Sequence, residues 1–380
     1  MNSVIQKYVQ NSKEELFKLL RDLCLIPAPS SFEDARASYC KTWLDNIGAK
    51  NTYIDSAKNV VFPLGCENSN EITVIAAHTD TVFSDTAPMP YADDGEYIRC
   101  PGVGDDTANV AVLLMTAKFM LENRIIPKGG VLFVCNSCEE GLGNLKGCRQ
   151  IFSDFEGRIK QFVSFDGSFA DLSDRCIGSH RYEVQVNVAG GHSWSKFGRK
   201  NAINELSRII SKIYEIDVPC ACDSKTTYNV GTIEGGTSVN TIAQGAKMLC
   251  EYRSDSEQCL AKMEELFNKI FDDAKSDDVE ISVVRVGERP CMGKVDAEKI
   301  ASMTSTVASI VKRITGIEPK PEPMSTDCNI PFSLGVPAVM IGVCECGGAH
   351  TRDEWMKKDT FHLGLEVGIE IVLAMIGENL

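Results

Sequence analysis

Residues 72–82 read ITVIAAHTDTV, a near-continuous apolar run that stops on a histidine, with an aspartate two residues on. A strand with one wet face alternates apolar and polar residues, whereas a strand covered on both faces is apolar throughout. Two further runs share the form: VLFVCNSC (Val131–Cys138) ends at Glu139, and FVSFD (Phe162–Asp166) ends on its own aspartate. A shorter run covers Asn59–Leu64, and Ala108–Glu122 carries helical periodicity with strong helix formers. Upstream, the first 48 residues read as helical with a break at IPAPSSF (Ile26–Phe32), after which Ser31 is placed to cap a helix running towards Leu44. Buried strands alternating with helices predict an α/β fold with a largely parallel sheet.

The pattern changes near residue 179. RYEVQVNVA (Arg181–Ala189) alternates like a half-buried strand. It is followed by a helix over Ala202–Ile216, strands over Thr226–Glu234 and Ala246–Arg253, a helix over Glu257–Ala274 and a strand over Val279–Val286. That β-α-β-β-α-β order is the ferredoxin-like plan. Beyond Pro290 the first pattern resumes, with a helix over Asp296–Thr315, the strand PAVMIGV and a closing helix over Phe361–Gly377. The simplest account is one α/β domain, residues 1–178 and 291–380, interrupted by a smaller domain at 179–290.

With 380 residues, the chain is long enough for two cores. Its net charge of −14 disfavours nucleic acid and anionic membrane surfaces as partners. No run of about 18 apolar residues suggests a membrane span, and MNSVIQKYVQNSKEELFKLL (Met1–Leu20) lacks the apolar core of a signal peptide. The 16 cysteines are scattered rather than framed, as free thiols in a reducing compartment would be. A cytoplasmic protein is expected. Cys135/Cys138, Cys220/Cys222 and Cys344/Cys346 have close spacing, but none has the histidine companion of a metal site, and structural thiols are the simpler reading. His180 and His362 have no companions recognisable in the sequence.

Ligands of open α/β sheets bind beyond the carboxyl ends of the strands. His78 with Asp80, Asp105 with Asp106, Glu139 with Glu140, and Asp166 occupy such positions, and His350 (GGAHTRDEW) adds a second imidazole. Taken singly, each has a bland explanation: a histidine after a strand often serves packing, and Asp105–Thr107 precedes a helix it could cap. Taken together, carboxylates crowded at one sheet edge repel unless cations neutralise them. Asp105, Glu140 and Asp166 bring three negative charges and His78 and His350 are neutral ligands, a set that two divalent ions with a bridging hydroxide would balance. Mixed imidazole and carboxylate donors suit zinc, with cobalt or manganese as alternatives. Glu139 is left over as a base for the attacking water.

The ordered motifs HTDTV, GDDT, EEG, FDGS and GGAH, with the ferredoxin-like block inserted between the last two, resemble the dinuclear zinc exopeptidases of the aminoacylase and carboxypeptidase G family, and within it the tripeptide aminopeptidase (peptidase T) branch. The resemblance covers nearly the whole chain. It implies a three-layer α/β/α catalytic domain and an inserted α+β lid that also dimerises. It implies that Asp105 bridges two Zn2+ ions, that His78 and Asp166 complete one site and Glu140 and His350 the other, that Glu139 is the general base and that Asp80 orients His78. A cis peptide after Asp105 belongs to the same pattern. In the insert, His192 (GGHSW) would reach the partner subunit's site in a homodimer, while Asn240 (GGTSVNTIA) and Arg253 (CEYRSD) would bind a substrate carboxylate. Asp327 and Asn329 (STDCNIPFSLG) match a loop near the site. One departure is Thr107, where many relatives carry lysine; it is not a ligand position. The expected substrates are small peptides or, with the same machinery, N-acyl amino acids.

Overall fold

Each apolar run forms a strand in the computed structural model, which describes residues 3–221 and 224–378. Val131–Asn136, Ile72–His78, Ile159–Phe165 and Ala338–Ile341 lie side by side in that order, all parallel. Val60–Leu64 and then Tyr53–Ile54 extend one edge antiparallel, and Asp171–Ser173 with Lys320–Pro321 extend the other, giving eight strands.

Every residue of Ile72–His78 is buried, so both faces of the sheet are covered. Successive side chains point to opposite faces. Ile75, Ala77, Phe133, Cys135, Val163 and Phe165 join a core with the helices Ser3–Asn11, Lys13–Cys24, Asp34–Asn46, Ala108–Glu122, Ala297–Thr315 and Lys358–Ile376. Their neighbours face the opposite layer, where Phe162 packs on Phe152 of helix Lys146–Asp154 with ring centroids 5.9 Å apart. This is a three-layer α/β/α arrangement. Helix Ala108–Glu122 is buried nearly all round, as its composition requires. Helix Lys358–Ile376 approaches it at Gly368, where a Cβ would stand 2.7 Å from Val112 Cγ1.

A small antiparallel sheet, Cys346–Gly347, Trp355–Lys357, Tyr97–Arg99 and Ala92–Asp93, ties the segment after the last core strand to the loop before Asp105.

The chain divides into two compact units, Met1–Cys176 with Gly293–Leu380, and Ile177–Met292. In the second, four antiparallel strands run in the order Thr226–Gly235, Gly245–Ser254, Gly178–Asn187, Glu280–Arg289, the ferredoxin-like order. Helices Ala202–Tyr214 and Glu257–Asp273 are capped by the side chains of Asn201 and Ser256. Their Leu206, Ile209, Met263 and Phe267 pack on Val184, Met248 and Tyr252 of the sheet.

Two local expectations are corrected. Ser31 caps no helix: it has a φ of 74° and its amide donates to Glu33 Oε1 (2.7 Å), and the helix starts at Asp34. His180 does have a companion, since its Nδ1 lies 2.7 Å from the Tyr252 hydroxyl on the neighbouring strand. The cysteines of the described residues are free thiols, and Cys222 lies outside those residues. Among the described residues no helix is long and apolar enough to cross a membrane.

Candidate metal centre

Three loops at the carboxyl edge of the central strands, with a fourth from the segment after Ile341, bring the sequence-predicted side chains together. His78 is the last residue of its strand and is 2% exposed. Its Nδ1 lies 3.1 Å from the Asp80 carbonyl oxygen and 3.5 Å from Asp80 Oδ1. A proton on Nδ1 donated there leaves the Nε2 lone pair for a cation. Nε2 points at Asp105 Oδ1, 3.0 Å away. The other oxygen of the same aspartate, Oδ2, lies 3.1 Å from His350 Nε2, and His350 Nε2 lies 3.2 Å from Glu140 Oε1.

These contacts fall into overlapping groups of potential ligand atoms within 4.8 Å of one another: His78, Asp105 and Asp166; Asp105, Glu140 and His350; and His78, Glu139 and Glu140. Asp105 belongs to the first two and presents one oxygen to each imidazole. Ligand atoms at about 2.0–2.2 Å from a tetrahedral zinc stand roughly 3.3 Å apart, so the spacing seen here fits such an ion. The donors, two imidazoles and several carboxylates, are those zinc accepts.

Electrostatics agree with that fit. Burial pushes the Asp166 and Glu140 carboxyls up, Glu140 to about 7, with Asp105 adding to the rise in both. Burial also raises Asp105, but the imidazoles of His350 and His78 outweigh it and hold its carboxyl below the usual range. Hydrogen bonds to Asp105 and Glu140 raise the His350 imidazole to about 10. A pocket that draws protons this strongly onto its imidazoles is one in which a metal cation can take their place.

The loops have their own supports. The Asp105–Asp106 peptide is cis, as the resemblance implies. Neither aspartate caps the following helix. Asp106 instead accepts from the His78 amide (2.9 Å) and from Asn109 Nδ2 (2.5 Å). Asn109 also donates to the Gly167 carbonyl beside Asp166 and accepts from Val343 N, joining three loops. The Asp80 carboxylate accepts from Ser30 Oγ (2.6 Å) and from the amides of Glu139 and Glu140 (both 3.0 Å), so it orders the glutamate loop as well as facing His78. Asp327 is buried and accepts from Asn136 Nδ2 (2.6 Å), Asn136 being the strand partner of His78. Burial and the Glu139 charge raise its carboxyl to about 7. Asn329, also buried, accepts from the Thr326 amide.

Sequence reasoning missed Arg36 and Glu33. Arg36 is 1% exposed. Its guanidinium donates to the carbonyls of Leu23, Ile26 and Thr79 and to Thr107 Oγ1, bracing the His78 and Asp105 loops from behind. Glu33 Oε1 accepts from the amides of Ser31 and Cys138, fixing the residue before Glu139. A charged residue on an otherwise apolar helix face was the available signal for Arg36.

The remaining candidates lie in the unit Ile177–Met292. His192 and Asn240 are exposed, at and beside a two-stranded antiparallel pairing of Gly191–His192 with Thr241–Ile242, where Ser193 N donates to the Asn240 carbonyl. Arg253 donates through Nε and Nη2 to the two oxygens of Glu251 (2.7 and 3.0 Å), and Arg181 shares the same carboxylate (3.2 Å).

Comparison with known proteins fits this geometry. The model of a family described as Peptidase family M20/M25/M40 matches residues 74–374. A Paracoccidioides brasiliensis (strain Pb03) protein described as a probable carboxypeptidase is 24% identical over 263 residues, 62% of this chain and 59% of that protein. The chain thus spans about three-fifths of the length of that curated relative. Among solved structures, a tripeptidase from Staphylococcus aureus subsp. aureus mu50 superposes with a TM-score of 0.74 at 20% identity, covering 96% of this chain and 99% of that one. The Bacillus subtilis YXEP protein, described as a dinuclear metal binding peptidase, superposes with a TM-score of 0.64 at 15% identity, covering 96% and 99%.

Proposed function

This chain belongs to peptidase family M20/M25/M40, and from that premise we propose that it is a dinuclear zinc exopeptidase acting on small peptides. The observation that carries the reading is Asp105, whose two carboxylate oxygens each face a different imidazole, His78 on one side and His350 on the other. His78, Asp105 and Asp166 would hold one ion, and Asp105, Glu140 and His350 the second. When bound, such ions would supply Lewis acidity towards the scissile carbonyl and the attacking water.

The protein's own groups do the rest. Glu139, within 4.8 Å of His78 and Glu140 donors, takes the proton of the attacking water and returns it to the leaving amine. Asp80 holds the amides of Glu139 and Glu140 and faces His78 Nδ1, fixing base and ligand together. The unit Ile177–Met292 serves as lid and dimer surface, with exposed His192 entering the partner subunit's site. Asn240 and Arg253 read the substrate's carboxylate, Arg253 sharing its guanidinium between that group and Glu251.

The test is hydrolysis of a panel of di- and tripeptides and N-acetyl amino acids, before and after chelation and after restoring Zn2+. Metal-dependent cleavage of short peptides supports the proposal. Cleavage confined to the N-acetyl amino acids moves the assignment to a deacylase, and turnover that survives chelation overturns it.

A further inference from the structure

Glu354 lies four residues after His350, is 1% exposed, and forms no ion pair with lysine, arginine or histidine among the described residues. Burying an isolated carboxylate is costly unless donors surround it. Here the donors are backbone amides of a single loop. Oε2 accepts from Gly102 N (2.7 Å), and Oε1 accepts from Gly104 N (2.7 Å) and from the amide of Asp105 itself (2.8 Å).

The loop is shaped to allow this. Gly102 has a φ of 76°, and a Cβ there would stand 2.5 Å from Thr81 Cγ2. A Cβ on Gly104 would stand 2.5 Å from Cys346 Cβ. Only glycines let the backbone approach so closely. Glu354 is itself pinned: its carbonyl accepts from Cys100 N (3.3 Å), and the next residue, Trp355, opens the strand paired with Tyr97–Arg99. His350 therefore sits on a turn whose far end is anchored to the backbone of the Asp105 loop.

We infer that Glu354 is a positioning residue that sets Asp105 and His350 in register for the second metal ion, by bonding three amides of the loop that carries Asp105. The inference rests on the reading of Asp105 as the shared ligand. Glu354 touches neither substrate nor ion; it acts through the backbone, as partners behind metal ligands do.

The experiment is a calorimetric titration of the metal-free protein with Zn2+, repeated with Co2+ to record the visible absorption of the bound ion, on the wild-type chain and on Glu354→Gln. Gln keeps the shape but offers one acceptor oxygen to three amides and turns its own N–H groups towards donors. The wild-type chain is expected to take two ions. The variant is expected to keep the metal-free unfolding midpoint within a few degrees, while its weaker binding step falls roughly 10- to 100-fold and its Co2+ spectrum changes. If the metal-free variant does not unfold cooperatively, the same titration on Glu354→Asp, which retains the charge and loses one methylene of reach, reads the same quantity. Two ions bound to a folded variant with wild-type affinity and spectrum overturn the positioning role. No ion bound to the wild-type chain overturns instead the metal reading on which it rests.

Discussion

Carboxylates are withdrawn from solvent in both units, Glu251 only partly, and the two units treat them differently. In the unit Ile177–Met292, Glu251 is held by two arginines, Arg253 and Arg181, at 2.7–3.2 Å. In the other unit, no lysine or arginine pairs with Asp105, Asp106, Glu140 or Asp166 among the described residues, and the charged partners of Asp105 and Glu140 are imidazoles. Arg36, behind the His78 and Asp105 loops, directs its donors to backbone carbonyls and a threonine hydroxyl. An acid matched by a side-chain cation serves the fold, whereas acids drawn out of water without one favour binding of a cation from outside.

That contrast can be broken at several points. The largest effect is expected at Glu139. Glu139→Gln removes the base and keeps the shape, so turnover should fall about 10²–10⁴-fold with both ions retained; loss of metal in parallel with activity would make Glu139 a ligand instead. Arg36→Met removes the guanidinium donor from the carbonyls of Leu23, Ile26 and Thr79, of which Leu23 keeps the Ile26 amide, and should cost about 3–5 kcal/mol in urea unfolding. A change below about 1 kcal/mol would mean that the loops behind His78 and Asp105 are held by other contacts.

In the paired region smaller effects are expected. Glu251→Gln should lower stability by about 1–2 kcal/mol at neutral pH and leave metal content unchanged. Burial raises the Glu251 carboxyl, but Arg253 and then Arg181 outweigh it and hold it below the ordinary glutamate value. Its stabilisation is therefore complete above the unfolded value of about 4.3 and is lost as pH falls through the lowered one, so wild type and variant should converge in acid. A gap that widens in acid contradicts that assignment. Smallest of all, Glu265→Gln at the exposed Lys262–Glu265 pair should change stability by less than about 0.5 kcal/mol.

What the sequence made legible follows from this physics. Continuous apolar runs require two covered faces, so the central strands and the acids at their ends could be read directly from residues 72–82, 131–140 and 162–166. Helix Ala108–Glu122 could be read to the residue because its formers and its apolar circumference coincide. The partners of the supports behind the ligands could not. Arg36, Glu33, Glu354 and Asn109 act on backbone groups distant in sequence, and a side chain bonded to a remote amide or carbonyl leaves no period along the chain. The Ser31 expectation failed for the same reason: a capping preference is local, and Glu33 claimed the turn through Cys138, 105 residues away. Glu251 is two residues from Arg253 on one strand, so their pairing was within reach of the alternation of side chains, and the family pattern drew attention to the arginine alone.

The most direct measurement is the metal content of the purified chain and of Asp105→Asn, by elemental analysis after exhaustive dialysis against metal-free buffer. About two divalent ions in the wild-type chain and a loss from both positions in the variant is the predicted result, because one aspartate faces both imidazoles. Wild-type protein without bound ions, or a variant that keeps both, would contradict the dinuclear centre.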